Sequence, residues 1–186
     1  MNKVRCDWVP LNSKLYKDYH DNEWGIAVHN DQKLFELLIL EGAQAGLSWS
    51  TVLNKRENYR KAFDNFDFEK VSKYNQKKIE QLLLNSGIVR NKLKIASSIQ
   101  NAKVFIKIRK EYGSFDKYLW NFVNDKPIIN HFENLKEIPV RSDLSDNISK
   151  DLKKRGMSFV GSTIIYAYLQ AVGVINDHQV KCFRYG

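Results

Sequence analysis

One ionisable side chain in an otherwise apolar helix is the first feature of this sequence that could do chemistry. The stretch 34–49 reads LFELLILEGAQAGLSW, and a helix so apolar in its first turns is expected to be buried. The run ends in Glu41, a side chain that a core accepts only if it is paired or borders a cavity. Because Trp49 follows after a glycine-rich loop, we predict the floor of a pocket. The alternative is a structural ion pair for Glu41, with Trp49 in the core.

Two cysteines and two histidines from opposite ends of the chain form a candidate metal set. Cys6 and His20 are near the N-terminus, and His178 and Cys182 are spaced as on one face of a helix. Together they make a Cys2His2 set, which suits structural zinc because it leaves no coordination position open. The alternative is two unrelated buried thiols and two solvated histidines. A disulfide is not expected in a reducing cytosol.

A glycine-flanked hairpin is the third candidate, and it suits phosphate binding. Gly156 and Gly161 bound a short connection that follows the basic triplet 153–155. Backbone N–H groups at the start of the next helix are unpaired and carry the positive end of its dipole. Ser162 and Thr163 add hydroxyl donors there. An ordinary helix pair in a bundle has the same spacing, so this alternative stays open.

Helices must position these groups, since strand signals are almost absent. Cap residues and apolar periodicity predict helices starting at Asp31, Asp67, Asn75 and Asp116, and over 51–63, 90–112, 145–155 and 162–172. Residues 5–30 are dense in aromatic and polar side chains without helical period, which favours a functional loop. We therefore predict an all-α protein, one domain over residues 1–186, with the hairpin at about 155–162.

Composition favours an ordered protein with a polyanionic partner. The 186 residues are 43% hydrophobic and have a formal net charge of +9. Such a charge favours nucleic acid first and an anionic membrane surface second, although lysines scattered over solvated faces give the same sum. No apolar run approaches the roughly 20 residues of a membrane span, and no signal-peptide core is present. We expect a cytoplasmic, monomeric protein without a membrane partner.

These motifs together resemble the DNA-3-methyladenine glycosylase I family, within the helix-hairpin-helix superfamily. The matching stretches are CDWV at 6–9, YHDNEWG at 19–25, LFELLILEGAQAGLSW at 34–49, KKRGMSFVGSTI at 153–164 and NDHQVKC at 176–182. The resemblance covers nearly the whole chain. It implies a helix-hairpin-helix glycosylase fold in which zinc joins the N- and C-terminal segments through Cys6, His20, His178 and Cys182.

The resemblance also implies an activity and its site residues. The reaction is hydrolysis of the N-glycosidic bond of 3-methyladenine in alkylated double-stranded DNA, a base-excision repair step that releases the free base. The positions that form the family's base pocket are Trp8, Tyr16, Tyr19, Glu41 and Trp49. The positions expected to contact DNA are Gly46 and Leu47, in a loop that enters where the base is everted, and Gly156, Val160, Gly161, Ser162 and Thr163 at the hairpin.

Glu41 and Tyr19 are the candidate catalytic residues. Methylation at N3 leaves the adenine cationic, so an aromatic box with one carboxylate favours it over the neutral base. Glu41 can accept a hydrogen bond from the exocyclic amine of the adenine or interact with the positive charge of the base. Tyr19 can stack on the base and donate a hydrogen bond. Because the methylated base is a good leaving group, positioning and electrostatics are enough. The hairpin 156–161 contains no lysine that could form a Schiff base, so we expect a monofunctional enzyme.

The sequence also bears on two other functions and on a possible role for Asp177. A non-enzymatic helix-hairpin-helix module would bind DNA without needing a buried Glu41 among aromatic rings. A zinc nucleobase deaminase needs H-x-E and P-C-x-x-C with an open zinc position, and the sequence has neither motif. Many superfamily members place a catalytic Asp after the hairpin. Here the nearest candidate is Asp177, beside His178, where it could equally orient the metal ligand.

Overall fold

Helices dominate the structure, a computed structural model that describes residues 3–186. The helices are α1 (Lys14–Asn22), α2 (Asp31–Gln44), α3 (Trp49–Ala62), α4 (Phe68–Val71), α5 (Gln76–Leu84), α6 (Lys92–Tyr112), α7 (Phe115–Asn121), α8 (Asp143–Lys154) and α9 (Ser162–Ala171). Short 3-10 helices cover Asp64–Phe66 and Leu135–Glu137, and two strands, β1 (Ile128–Ile129) and β2 (Ile175–Asn176), pair in parallel. The all-α prediction is confirmed apart from this two-residue ladder. No helix within residues 3–186 is long and apolar enough to span a membrane.

The helix α2 lies in the middle of the molecule, packed against α3, α6, α7 and α9. Every residue from Leu34 to Ala43 is buried, as expected for a helix that is apolar on nearly every face. Burial on all sides brings the last turn, which carries Glu41, into the interior. The fold therefore positions this carboxylate by the packing of a whole helix.

Short polar side chains begin most of the helices, because an Asn, Ser or Asp oxygen accepts the otherwise unpaired N–H groups of the first turn. The capping residues of α1 to α8 are Ser13, Asn30, Ser48, Asp67, Asn75, Asn91, Ser114 and Ser142. The helix α9 differs, since Gly161 occupies its N-cap and no side chain bonds its first turn. Among the α-helices of residues 3–186, only α9 thus starts without a side-chain cap, which leaves all the unpaired N–H groups of its first turn available.

The segment 5–30 contains a helix where the sequence predicted a loop. The helix α1 runs from Lys14 to Asn22 after an N-cap at Ser13. It is short, and only Tyr19 and His20 of its nine residues are buried. Its apolar residues Leu15, Tyr16 and Tyr19 span little more than one helical turn, which is too short a repeat to distinguish from a loop rich in aromatic residues.

The segment 177–182 is irregular, so the predicted helical turn between His178 and Cys182 is wrong. Hydrogen bonds hold the chain in its non-helical course. The buried carboxylate of Asp177 accepts from Asn130 Nδ2, Tyr166 OH and Gln170 Nε2 at 2.6–2.7 Å. These donors come from other parts of the chain, so local spacing could not reveal them.

The N- and C-terminal segments lie side by side. The Phe183 N–H donates to the Val4 carbonyl at 2.9 Å. Gly173 has a φ of +73°, and a Cβ there would lie 2.3 Å from the carbonyl carbon of Ile26. The close approach of the chain at 173 to the chain at Ile26 therefore requires glycine.

Candidate active site

Glu41 is buried without a partner at the end of α2. Its residue is 4% exposed, and no opposite charge or hydrogen bond within residues 3–186 stabilises its carboxylate. Burial therefore raises the pKa of Glu41 to about 8, because desolvation disfavours the charged form. The structural ion pair considered as the alternative is not found in this part of the chain.

A cavity of about 230 Å³ adjoins this carboxylate. It is lined by Trp8, Tyr19, Trp24, Glu41, Gln44, Trp49, Leu135, Ile138, Ala167 and Gln170. The rings of Tyr19 and Trp49 are 5.2 Å apart, and those of Trp8 and Trp24 are 5.0 Å apart. A cavity walled by aromatic rings, with one carboxylate, favours a flat cationic ligand.

Four of the five predicted pocket residues line this cavity, and Tyr16 is not among them. Its ring lies 6.1 Å from the ring of Trp8 in an edge-on contact. Trp8 contacts Tyr19 as well, at 6.4 Å. In this structure Tyr16 therefore supports Trp8 rather than bordering the cavity.

Residues that the sequence did not assign complete the wall. Trp24 belongs to the aromatic-rich N-terminal segment, which was the available signal. Ala167 and Gln170 are three residues apart on α9, on the face turned to α2, a relation visible only after the helices are docked. Leu135 and Ile138 come from the long connection between α7 and α8, which has no pattern that would identify them.

Asp177 serves the pocket wall indirectly and does not line the cavity. A carboxylate only accepts hydrogen bonds, so Gln170 must turn its amide nitrogen toward Asp177, at 2.7 Å. Asp177 thereby fixes the orientation of a lining residue. Its predicted alternative role, orienting His178, falls instead to Asn176, whose Oδ1 lies 2.9 Å from His178 Nδ1.

The four candidate metal ligands, Cys6, His20, His178 and Cys182, come together as predicted. All are buried, and their donor atoms lie within 4.8 Å of one another. The Nδ1 atom of His20 contacts Asp21 Oδ1 at 2.8 Å, which turns Nε2 toward Cys182 Sγ at 3.4 Å.

The environment of these side chains fits a metal ion. His178 Nε2 is buried and has no hydrogen-bond partner in the described chain. Burial lowers the pKa of His178 to about 4, so the ring is neutral, as a ligand must be. The hydrogen bond from Cys6 lowers the pKa of the Cys182 thiol. Two sulfurs and two imidazole nitrogens therefore make a group that could hold a metal.

The candidate metal ligands also support the pocket. The ring of Trp8 lies 5.4 Å from that of His20, and the ring of Trp24 lies 4.6 Å from that of His178. Both contacts are edge-on, which is a favourable arrangement for aromatic pairs. Two pocket walls thus rest directly on candidate ligands.

The loop after α2 opens the pocket to solvent. Gly46 has a φ of +74°, a conformation that favours glycine, and Leu47 is 41% exposed. Gly46, Leu47 and Thr163 border a second cavity, of about 350 Å³, which shares Glu41 with the first. The loop and the start of α9 thus meet at the mouth of the pocket.

The hairpin residues differ in what they can offer a ligand. Gly156 has a φ of +98°, while Val160 is only 1% exposed as a whole residue and its carbonyl accepts from Ser149 Oγ at 2.7 Å. The Ser162 hydroxyl is bonded to Ser145 Oγ at 2.8 Å, whereas Thr163 is exposed.

Arg155, at the end of the basic triplet, is occupied by the fold. Its guanidinium donates to Asp151 and Glu111, each at 2.6 Å. Lys153 and Lys154 are exposed and remain available to a polyanion.

Comparison with known proteins agrees with this geometry. A model of the methyladenine glycosylase family matches residues 8–185. The DNA-3-methyladenine glycosylase of Haemophilus influenzae is 45% identical over 179 residues, covering 96% of each chain. DNA-3-methyladenine glycosylase 1 of Escherichia coli is 46% identical over 181 residues, covering 97% of this chain and 96% of that protein.

Solved structures match over the same extent. A crystal structure of a 3-methyladenine DNA glycosylase I superposes with a TM-score of 0.95 at 45% identity, covering 98% of this chain and all of the other. The 3-methyladenine DNA glycosylase I of Staphylococcus aureus, solved to explain 3-methyladenine recognition, gives 0.90 at 36% identity, covering 92% of this chain and 91% of that chain. The chain therefore belongs to the DNA-3-methyladenine glycosylase I family.

Proposed function

We propose that this protein excises 3-methyladenine from alkylated double-stranded DNA by hydrolysing its N-glycosidic bond, as a monofunctional enzyme of base-excision repair. The observation that carries the proposal is the unpaired Glu41 carboxyl in an aromatic cavity, in a chain of this glycosylase family. A DNA-binding module has no use for a carboxyl buried at such cost. The lesion must leave the base stack to reach this cavity.

Glu41 and Tyr19 act on the everted base. The cationic ring of the methylated base stabilises the charged carboxylate of Glu41, which then accepts from the exocyclic amine. Tyr19, 4% exposed and beside Trp49, stacks and donates a hydrogen bond. Trp8 and Trp49 supply electron-rich faces that attract the cation. The neutral base gains less from each group, so discrimination and leaving-group activation come from the same electrostatics.

The duplex is held at the mouth of the pocket. The free N–H groups at the start of α9 bind a phosphate, because they carry the positive end of the helix dipole. Gly156, Val160 and Gly161 bring the backbone close to the strand. Leu47 enters the space that the base has left and offsets the lost stacking.

Cys6, His20, His178 and Cys182 hold a structural zinc ion. With four protein ligands the metal has no open position, so it supplies rigidity and no reacting group. Its place behind Trp8 and Trp24 makes it a support for the pocket. A single chain contains the whole site, which supports action as a monomer.

Base release from methylated DNA tests the proposal. Duplex treated with a methylating agent is incubated with the protein, and released bases are separated by chromatography. We expect free 3-methyladenine with no direct strand cleavage and no borohydride-trapped complex. DNA binding without base release would instead support the non-enzymatic module.

A further inference from the structure

Lys94, in the first turn of α6, is bonded to the end of the pocket helix. Its Nζ donates to the carbonyls of Ala43 at 2.8 Å and Ala45 at 2.6 Å. The last carbonyls of a helix have no partners within it, and an ammonium group complements their negative end. Lys94 therefore fixes the point where α2 becomes the loop that carries Gly46 and Leu47.

Asn101, seven residues further along α6, is bonded to the hairpin in a similar way. It is 3% exposed, so both polar groups of its side chain need partners. Its Nδ2 donates to the Ser158 carbonyl at 2.8 Å, and its Oδ1 accepts from the Ser158 N–H at 3.0 Å. A buried side chain of α6 is thus committed to one residue of the hairpin.

The hairpin and the end of α2 also touch each other. A Cβ at Gly42 would lie 3.3 Å from both Cβ and O of Phe159, so a side chain at 42 would require the hairpin to shift by a few tenths of an ångström. Phe159 has a φ of +56°, a conformation that costs free energy outside glycine. The neighbouring pair Asn101–Ser158 is placed to hold it.

We propose that Lys94 and Asn101 are positioning residues that set the distance between the loop 45–48 and the hairpin 156–161. Neither residue borders the cavity that contains Glu41, so neither touches the base. The inference rests on the proposed function, in which these two segments grip the same duplex. Catalysis by positioning is sensitive to displacements of about 1 Å, which can cost about a hundredfold in rate.

The test compares Lys94→Met and Asn101→Leu with Lys103→Met. Lys103 is an exposed lysine of the same helix, so its variant loses the same charge without touching either segment. For each protein, single-turnover excision from methylated duplex and binding of free 3-methyladenine by tryptophan fluorescence are measured. We expect duplex excision to fall at least tenfold for Lys94→Met and Asn101→Leu, with free-base affinity within twofold of the parent. The control should stay within twofold in both assays.

Conservative variants keep the test informative if a substitution disturbs folding. Lys94→Arg retains donors and should recover most of the excision rate, and Asn101→Gln retains both an amide donor and an amide acceptor for Ser158 and should recover part of it. Equal losses of excision and free-base affinity would overturn the inference, as would a parent-like excision rate in Lys94→Met and Asn101→Leu. The parent's own base release reports on the proposed function, while only variant-to-parent ratios report on positioning.

Discussion

Glu41 is in its neutral form for most of the time in the empty pocket at neutral pH. Its pKa is raised to about 8 by burial alone, and an entering cation shifts the balance back to the carboxylate. Glu41 therefore becomes charged when the cationic base binds. Its burial lowers the stability of the free protein, and its charge contributes to binding only in the complex.

Replacement of Glu41 by Gln should separate these two effects. The amide keeps the shape of the side chain and removes the charge, so we expect a variant at least as stable as the parent. Excision should fall more than tenfold, which corresponds to about 1.4 kcal/mol. Melting temperature and single-turnover excision are measured on the same preparation. A destabilised variant with normal activity per molecule would indicate a purely structural Glu41.

The pH dependence of stability gives an independent check on Glu41. Its pKa of about 8 in the folded state exceeds the unfolded value of about 4.3, so the folded state holds the proton more tightly. The contribution of this group to stability is full below about pH 4.3, declines as pH rises toward 8, and is flat above it. The melting temperature of Glu41→Gln minus that of the parent should grow over this window. A constant difference would mean that Glu41 does not titrate there.

Sequence reasoning identified residues whose burial is costly or whose type is rare. Glu41 is recognisable because it ends an apolar run, and the four metal ligands because both cysteines are among them. Gln170 and Asn101 are not recognisable in this way. Their importance depends on partners, Asp177 and Ser158, that only the packing of helices brings near.

At the scale of structural elements, a first prediction concerns Leu47 in the loop after α2. Leu47→Ala should reduce excision from duplex far more than binding of free 3-methyladenine, because only the duplex incurs the unstacking cost of a few kcal/mol. Leu84→Ala is the matched control, since this leucine is 83% exposed on α5. Similar losses in both assays would place Leu47 in the pocket wall.

A second prediction concerns the N-terminus of α9. Gly161 has open space around its Cβ position and an ordinary φ of −61°, so an aspartate fits there and would cap the helix. Gly161→Asp should raise stability by a few tenths of a kcal/mol and weaken DNA binding about tenfold, or about 1.4 kcal/mol. Gly161→Ser gives a cap without charge and should weaken binding less. Unchanged DNA affinity in Gly161→Asp would remove the phosphate from this site.

The first residue of a helix was predictable where a capping side chain precedes it. Asp67 and Asn75 cap their helices as expected. In α2 the N-cap is Asn30, one residue before the predicted cap Asp31. Asp31 is used differently, since its carboxylate accepts the Phe115 N–H at the start of α7. A cap and a long-range acceptor look alike in sequence.

The candidate metal group acts on the whole molecule, because it joins segments from both ends of the chain. We expect about one zinc ion per chain in protein purified without chelators. Chelation should lower the melting temperature before it lowers the initial excision rate, since a closed Cys2His2 site supplies no reacting group. Metal analysis and thermal unfolding measure this. An ion-free preparation with full stability would contradict it.

The pairing of the N- and C-terminal segments also determines when the pocket can be completed during synthesis. His178 and Cys182 follow all nine α-helices of the described residues, while Cys6 precedes α1 and His20 lies within it. In a nascent chain Cys6 and His20 therefore lack their two partner ligands until residues 178 and 182 have left the ribosome, and Trp8 and Trp24 lack part of their support until then. Helices of a domain can form during translation, but this pocket is completed only when the last ligand emerges from the ribosome.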